Sequence, residues 1–156
     1  MKNNKGFTLV EIMIVVAIIA LLATIAIPGL LRTRLTANES NAIASLRSIA
    51  TGAETFRTAQ TTPTYPDTAA ALFTVTPPYI TGFTGAADPL SKSGYNFSIG
   101  HSGANTYTAV ANPATRGTTG NRSFCIDETG IMWAADSNFA DTSGCSGQGA
   151  TNQSQM

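Results

Sequence analysis

The sequence predicts an α+β fold: a long N-terminal α-helix, half membrane-spanning and half amphipathic, packed on a small C-terminal antiparallel β-sheet. Three observations carry that prediction. Residues 7–31 are apolar almost without interruption. Residues 31–59 place apolar side chains at three- and four-residue spacings, the period of one helix face. Residues 94–134 hold short stretches of alternating apolar and polar residues, divided by Gly, Asn and Pro turns.

The helix comes first. Residues 1–6 (Met1-Lys2-Asn3-Asn4-Lys5-Gly6) form a short basic leader, and residues 7–30 are long enough to cross a bilayer. A secretory signal peptide shares the basic start but has a shorter apolar core, and the small residues Ala23-Thr24-Ile25-Ala26 come too late for its cleavage site. One carboxylate, Glu11, interrupts the run. A charge at the centre of a membrane helix costs roughly 2.5–3.5 kcal/mol on insertion scales, so Glu11 requires a partner or a task. Cleavage between Gly6 and Phe7 would supply one. Phe7 would carry a new α-amino group, with Glu11 one helical turn further along the same face. A neighbouring copy, shifted along the helix axis, would bring its own Glu11 to this amine, so that each charge is neutralised by the next subunit.

Lys5-Gly6-Phe7-Thr8-Leu9-Val10-Glu11, with the apolar run behind it, resembles the signal segment of type IV prepilins and pseudopilins. The resemblance covers residues 1–30 and implies the pilin fold, type IVa-like. It also implies that a prepilin peptidase cuts after Gly6 and N-methylates Phe7, and that Glu11 guides docking into a growing filament. The implied partners are copies of the chain itself in a helical homopolymer, the peptidase, an inner-membrane platform protein and an assembly ATPase. The precursor would cross the inner membrane once with its N-terminus cytoplasmic, and the assembled subunit would lie in a filament on the cell surface. The plainer alternative is an uncleaved anchor with an incidental glutamate.

Pro28-Gly29 interrupts the run, and a proline removes one helical hydrogen bond, so a kink or local melting is expected there. In the resembled family a proline matching Pro28 sits within the long helix, whose surrounding segment can unwind in filaments. The stripe Leu31, Leu35, Ile43, Leu46, Ile49, Ala50, Ala53 and Phe56 follows, interrupted near its start by Asn38-Glu39-Ser40-Asn41. Both halves together make a helix on the order of 75 Å long at 1.5 Å per residue.

Residues 60–93 read as a variable connecting loop rich in proline, with Asp67 expected to cap a short helix over 68–73. Residues 94–145 read as the sheet and a disulfide-bounded loop. Strands are expected at 94–99, ending in a turn at Gly100-His101-Ser102-Gly103, at 106–111, and at 122–127 paired with 131–134 across a hairpin turn. A meander of three or four strands cannot stand alone, and the amphipathic helix provides its second layer. The stretches 89–97, 122–124 and 127–131 resemble short bacterial pilin-like proteins more loosely. Residues 146–156 read as a flexible tail on their Ser, Gly, Asn and Gln content.

Charge excludes several function classes. Nine basic and nine acidic side chains balance, and loss of Lys2 and Lys5 with the leader leaves seven basic. Arg32, Arg34, Arg47 and Arg57 are spread along one helix, which suggests no specific nucleic-acid binding. Charged residues make up only 12% of the chain, a weakly charged surface suited to packing against copies of itself. Cys125 and Cys145 are expected to close a disulfide after export, worth about 3 kcal/mol in the chain-entropy model. Two free thiols are the alternative, since two cysteines and a distant His101 do not complete a zinc site.

No enzyme and no cofactor are expected. Gly100-His101-Ser102-Gly103-Ala104 fails as a hydrolase elbow at Ala104, and the only histidine is spent beside the serine. Asp127, Glu128, Asp136 and Asp141 are weak calcium candidates without the spacing of an EF-hand loop. Trp133 is assigned to packing. The four Asn-x-Ser/Thr matches at Asn38, Asn96, Asn121 and Asn152 carry little weight. The functional expectation is a major pilin-like structural subunit. The alternatives are a pseudopilin of a type II secretion system and a minor pilin.

Overall fold

The computed structural model describes residues 6–85, 88–103, 105–140, 145 and 151–152. Helix α1 spans Leu9–Ala59, 51 residues, and is unbroken at Pro28 and Gly29, so no local melting is seen there. The chain divides into two units, Met1–Arg34 and Leu35–Met156. In the first unit the apolar side chains of α1 are exposed, from Leu9 at 75% to Leu31 at 51%.

In the second unit the stripe on α1 is buried. Leu46 and Ile49 are fully buried, and each contributes about 1.5–3 kcal/mol relative to exposure. Ala42, Ser45, Gly52 and Ala53 complete the buried face, while Ile43, Ala50 and Phe56 are half-buried. Leu31 does not belong to this face; burial becomes continuous only from Ala42. The reason lies in the polar interruption. Asn38 Nδ2 donates to the Thr119 carbonyl at 2.9 Å. Glu39 Oε2 accepts from Arg122 Nε and Nη2 at 3.1 and 3.0 Å, and its Oε1 accepts the backbone N–H groups of Asn121 and Arg122 at 3.0 and 3.3 Å. The start of the amphipathic half is therefore held by hydrogen bonds and a half-buried ion pair, and the apolar contact begins one turn later.

Helix α2 covers Ala69–Phe73. Its N-cap is Thr68, without a side-chain capping bond, so Asp67 does not cap it. Asp67 Oδ1 instead faces His101 Nδ1 at 3.0 Å. Between α2 and Gly85 the connecting segment is irregular and packs on α1 where the helix is thinnest: a Cβ on Gly52 would lie 2.7 Å from Ile80 Cγ2.

Six strands form one sheet in chain order: β1 Leu90–Lys92, β2 Tyr95–Gly103, β3 Thr106–Pro113, β4 Ser123–Asp127, β5 Met132–Ala135 and β6 Thr151–Asn152. Every neighbouring pair is antiparallel. The expected meander is present, with three corrections. Strand β1 lies inside the segment read as loop; it turns into β2 through Ser93-Gly94, both at positive φ, which suits a two-residue hairpin. Strand β2 continues through the expected turn at 100–103 and is bulged between His101 and Gly103, because the bulge absorbs the irregularity without ending the pairing. Thr151–Asn152, placed in the flexible tail, pair with β5. Edge pairing uses backbone groups alone, so a polar stretch without alternation supplies it. The remainder of 146–156 lies outside the described residues.

The sheet is covered on both faces. Tyr95, Phe97, Ile99, Ala109, Ala111, Phe124, Ile126 and Ala134 join the core beneath α1. Val110, Cys125, Ala135, Phe139 and Cys145 form a second cluster, and the two-residue strand period places it on the opposite face. Double coverage explains why β3 lacks clean alternation: it is buried along nearly its whole length.

Candidate assembly site

Gly6, Phe7 and Thr8 precede α1, and both partners of the Gly6–Phe7 peptide bond are exposed, Phe7 at 83%. Because the helix begins only at Leu9, Phe7 is not one helical turn below Glu11, which corrects the sequence expectation. Thr8 explains the boundary. Glu11 Oε2 accepts hydrogen bonds from the Thr8 N–H and the Thr8 hydroxyl, both at 2.8 Å, while the Glu11 N–H donates to Thr8 Oγ1 at 3.2 Å. This reciprocal arrangement is a capping box, which satisfies helix-terminal donors with the chain's own side chains. Its signature, Thr-x-x-Glu ahead of an apolar run, is present in the sequence.

Around this box the helix is lipid-like. Its most apolar 18-residue window has a mean hydropathy of 2.9, with none of it buried within the chain. By length and composition α1 can cross a membrane. Two hydroxyls in or beside the apolar run bond one turn back: Thr24 Oγ1 to the Ala20 carbonyl at 2.9 Å, and Thr33 Oγ1 to the Gly29 carbonyl at 3.0 Å. Neither needs water. Glu11 is the only carboxylate from residue 7 to residue 31, and one of its oxygens, Oε1, makes none of these capping bonds.

The second unit carries the disulfide Cys125–Cys145, with Cα atoms 5.6 Å apart and both cysteines fully buried. Trp133 packs against this cluster, half-buried. The loop the disulfide bounds is fastened twice more. Asn112 exchanges two hydrogen bonds with the Phe139 backbone, at 2.9 and 3.0 Å. Arg116 Nη2 donates to Ser123 Oγ and Asn138 Oδ1 at 2.9 and 2.7 Å, and its Nη1 donates to the Asn121 carbonyl. These polar fasteners were not anticipated, since residues this far apart in sequence carry no periodic signal.

Among the described residues the calcium candidates do not converge. Asp127 Oδ1 accepts from the Thr129 N–H at 3.1 Å and from its hydroxyl, and Glu128 Oε2 accepts the Tyr107 N–H at 3.3 Å. Asp136 is exposed, and Asp141 lies outside the described residues. Among the described residues no group of three or more His, Cys, Asp or Glu is placed to hold a metal.

Comparison with known proteins decides the family. Residues 1–27 match the model of the prokaryotic N-terminal methylation motif. The chain is 36% identical over 114 residues to the type IV wide pilus major component PilA4 of Thermus thermophilus, covering 70% of this chain and 83% of the relative. The chain belongs to the type IV pilin family. This pilin is also 45% identical over 54 residues to the type IV major pilin protein PilA of Myxococcus xanthus, covering 35% of this chain and 24% of that one. A fimbrial protein of Pseudomonas aeruginosa is 46% identical over 54 residues, or 35% of each chain. No solved structure matches this pilin.

Proposed function

We propose that this pilin is the major structural subunit of a type IV pilus. One observation carries the reading: Glu11 sits in a segment of α1 whose large apolar side chains, from Leu9 to Leu31, are all exposed. Such a helix is satisfied in lipid or among copies of itself, and the carboxylate needs a cation at the same depth. A prepilin peptidase cuts between Gly6 and Phe7 and N-methylates Phe7. Glu11 Oε2 keeps capping its own helix through Thr8, and Oε1 takes the Phe7 amine of a neighbouring subunit. Residues 1–6 are the leader, residues 7–30 the membrane and filament-core helix, and residues 31–59 the amphipathic half.

The precursor waits in the inner membrane, single-pass, with its N-terminus cytoplasmic. A platform protein and an assembly ATPase then move it into the surface filament. Its work is assembly rather than catalysis. Relatives named for pili and fimbriae support a pilus over a secretion pseudopilus.

Electron microscopy of a deletion strain tests the reading, since long surface filaments should vanish. Intact filaments together with failed protein secretion would favour the pseudopilin instead. Mass spectrometry of the mature chain should find a methylated Phe7 at the N-terminus, and an intact Met1 would refute processing.

A further inference from the structure

Charge pairing in the second unit is nearly complete. Among its described residues, almost every charged side chain meets an ion pair, a hydrogen bond or an aromatic ring. The Arg47 guanidinium and the Asp136 carboxylate are the exceptions, and both residues are exposed. Opposite unmatched charges on one chain invite a match between chains.

Their settings differ in a useful way. Arg47 stands on α1 between two grooves. The first, about 520 Å³, lies between α1 and the β4–β5 hairpin and includes Ile43, Ile131 and Met132. The second, about 420 Å³, lies between α1 and residues 79–81 and includes Tyr79 and Ile80. A carboxylate brought to Arg47 there would be partly withdrawn from water, which strengthens its attraction. Beside the first groove the hairpin tip is open, since a Cβ on Gly130 would meet nothing within 4 Å. Asp136 follows β5 directly, past the residues that β6 pairs, and its neighbours Ala135 and Ser137 are small. It is an exposed carboxylate between two small residues.

We propose that Arg47 and its flanking grooves receive the Asp136 corner of a second copy of this chain. The two patches are different parts of one molecule, so the contact is heterologous, the kind that builds a filament when its rotation does not close a ring. The inference rests on the filament reading above and names a contact of the second unit that the Glu11 pairing does not supply.

Charge exchange in the full-length chain tests it. R47E and D136R should each lower surface filaments by about tenfold, since each sets like charges together, and the R47E/D136R double variant should restore them to within about twofold. Near-UV circular dichroism and an intact disulfide confirm that each variant is folded. Wild-type filament levels in both single variants, no recovery in the double variant, or recovery of D136R by R34E instead would overturn the pairing. A photo-crosslinker at position 47 reads the same contact in membranes, whether or not filaments form. It should capture the Asp136 peptide of another copy, and capture elsewhere would refute the proposal. A strain that makes no filaments yet gives this crosslink would sink the pilus reading and leave the contact standing.

Discussion

Replacing Glu39 with alanine should destabilise the second unit more than any other exposed-looking change on α1. Glu39 is a charged residue in the polar break of the stripe, yet its side chain is only 12% exposed and accepts four hydrogen bonds. Truncation strands two backbone N–H groups and the Arg122 guanidinium. Breaking a fully buried pair costs about 3–5 kcal/mol. Arg122 is 38% exposed, so water recovers part of that cost, and about 2–3 kcal/mol remains. For a unit of this size the loss lowers Tm by about 10 °C. Thermal unfolding of the detergent-solubilised full chain, followed by near-UV circular dichroism, measures it. Glu39→Gln keeps one oxygen for the backbone donors and should recover part of the loss. If Glu39→Ala melts within about 1 °C of wild type, the clamp contributes nothing and the argument from its geometry fails.

Further predictions follow from the interior. Burial raises Tyr95 and Tyr107 well above the ordinary phenol range, and burial with the Glu54 hydrogen bond raises Tyr65. The folded state therefore keeps protons that the unfolded chain releases above about pH 10, so this stabilisation is intact below that pH and drains away above it; an alkaline melting series with phenolate absorbance checks the window. Removing the disulfide with the paired Cys125→Ser and Cys145→Ser changes should cost about 3 kcal/mol, while the Asn112 and Arg116 fasteners keep the loop in place, as hydrogen exchange at Phe139 would report. Gly120→Ala should prevent native packing, because its Cβ would fall 2.0 Å from the Tyr95 hydroxyl, which is itself tied to the Arg122 carbonyl at 2.8 Å. Native-like melting of that variant would show that Tyr95 can move.

Helix α1 was legible because two independent signals, an apolar span and a 3.6-residue stripe, continue across the same 51 residues. The hairpin at 127–130 was legible too, its turn closed by the Gly130 N–H on the Asp127 carbonyl at 2.9 Å. What escaped was short or non-periodic. Strand β1 has three residues and β6 two, too few for alternation to register. The Asn38 and Glu39 contacts join residues about 80 apart, a relation that no local pattern encodes. At the candidate assembly site Gly6, Phe7 and Glu11 stand out through the resemblance of residues 1–30 to prepilins, and the structure places Gly6 and Phe7 ahead of α1 with Glu11 in its first turn. The Thr8 cap was less legible because Thr8 and Glu11 lie at the edge of the apolar run, where the membrane signal dominates the pattern.

The span of the Glu39 clamp bears on the order in which this protein can form. The six strands pair only with neighbours in sequence, so each hairpin can close as soon as its own residues are free. The clamp at the start of the amphipathic half has no such early partner: Asn121 lies 82 residues beyond Glu39, and Arg122 one further. Until that stretch is made, the stripe from Ala42 to Ala53 has no finished sheet to lie on. Synthesis thus presents a half-made molecule with a bare apolar helix face, and a bilayer, which α1 is long and apolar enough to cross, is a surface suited to shelter it meanwhile.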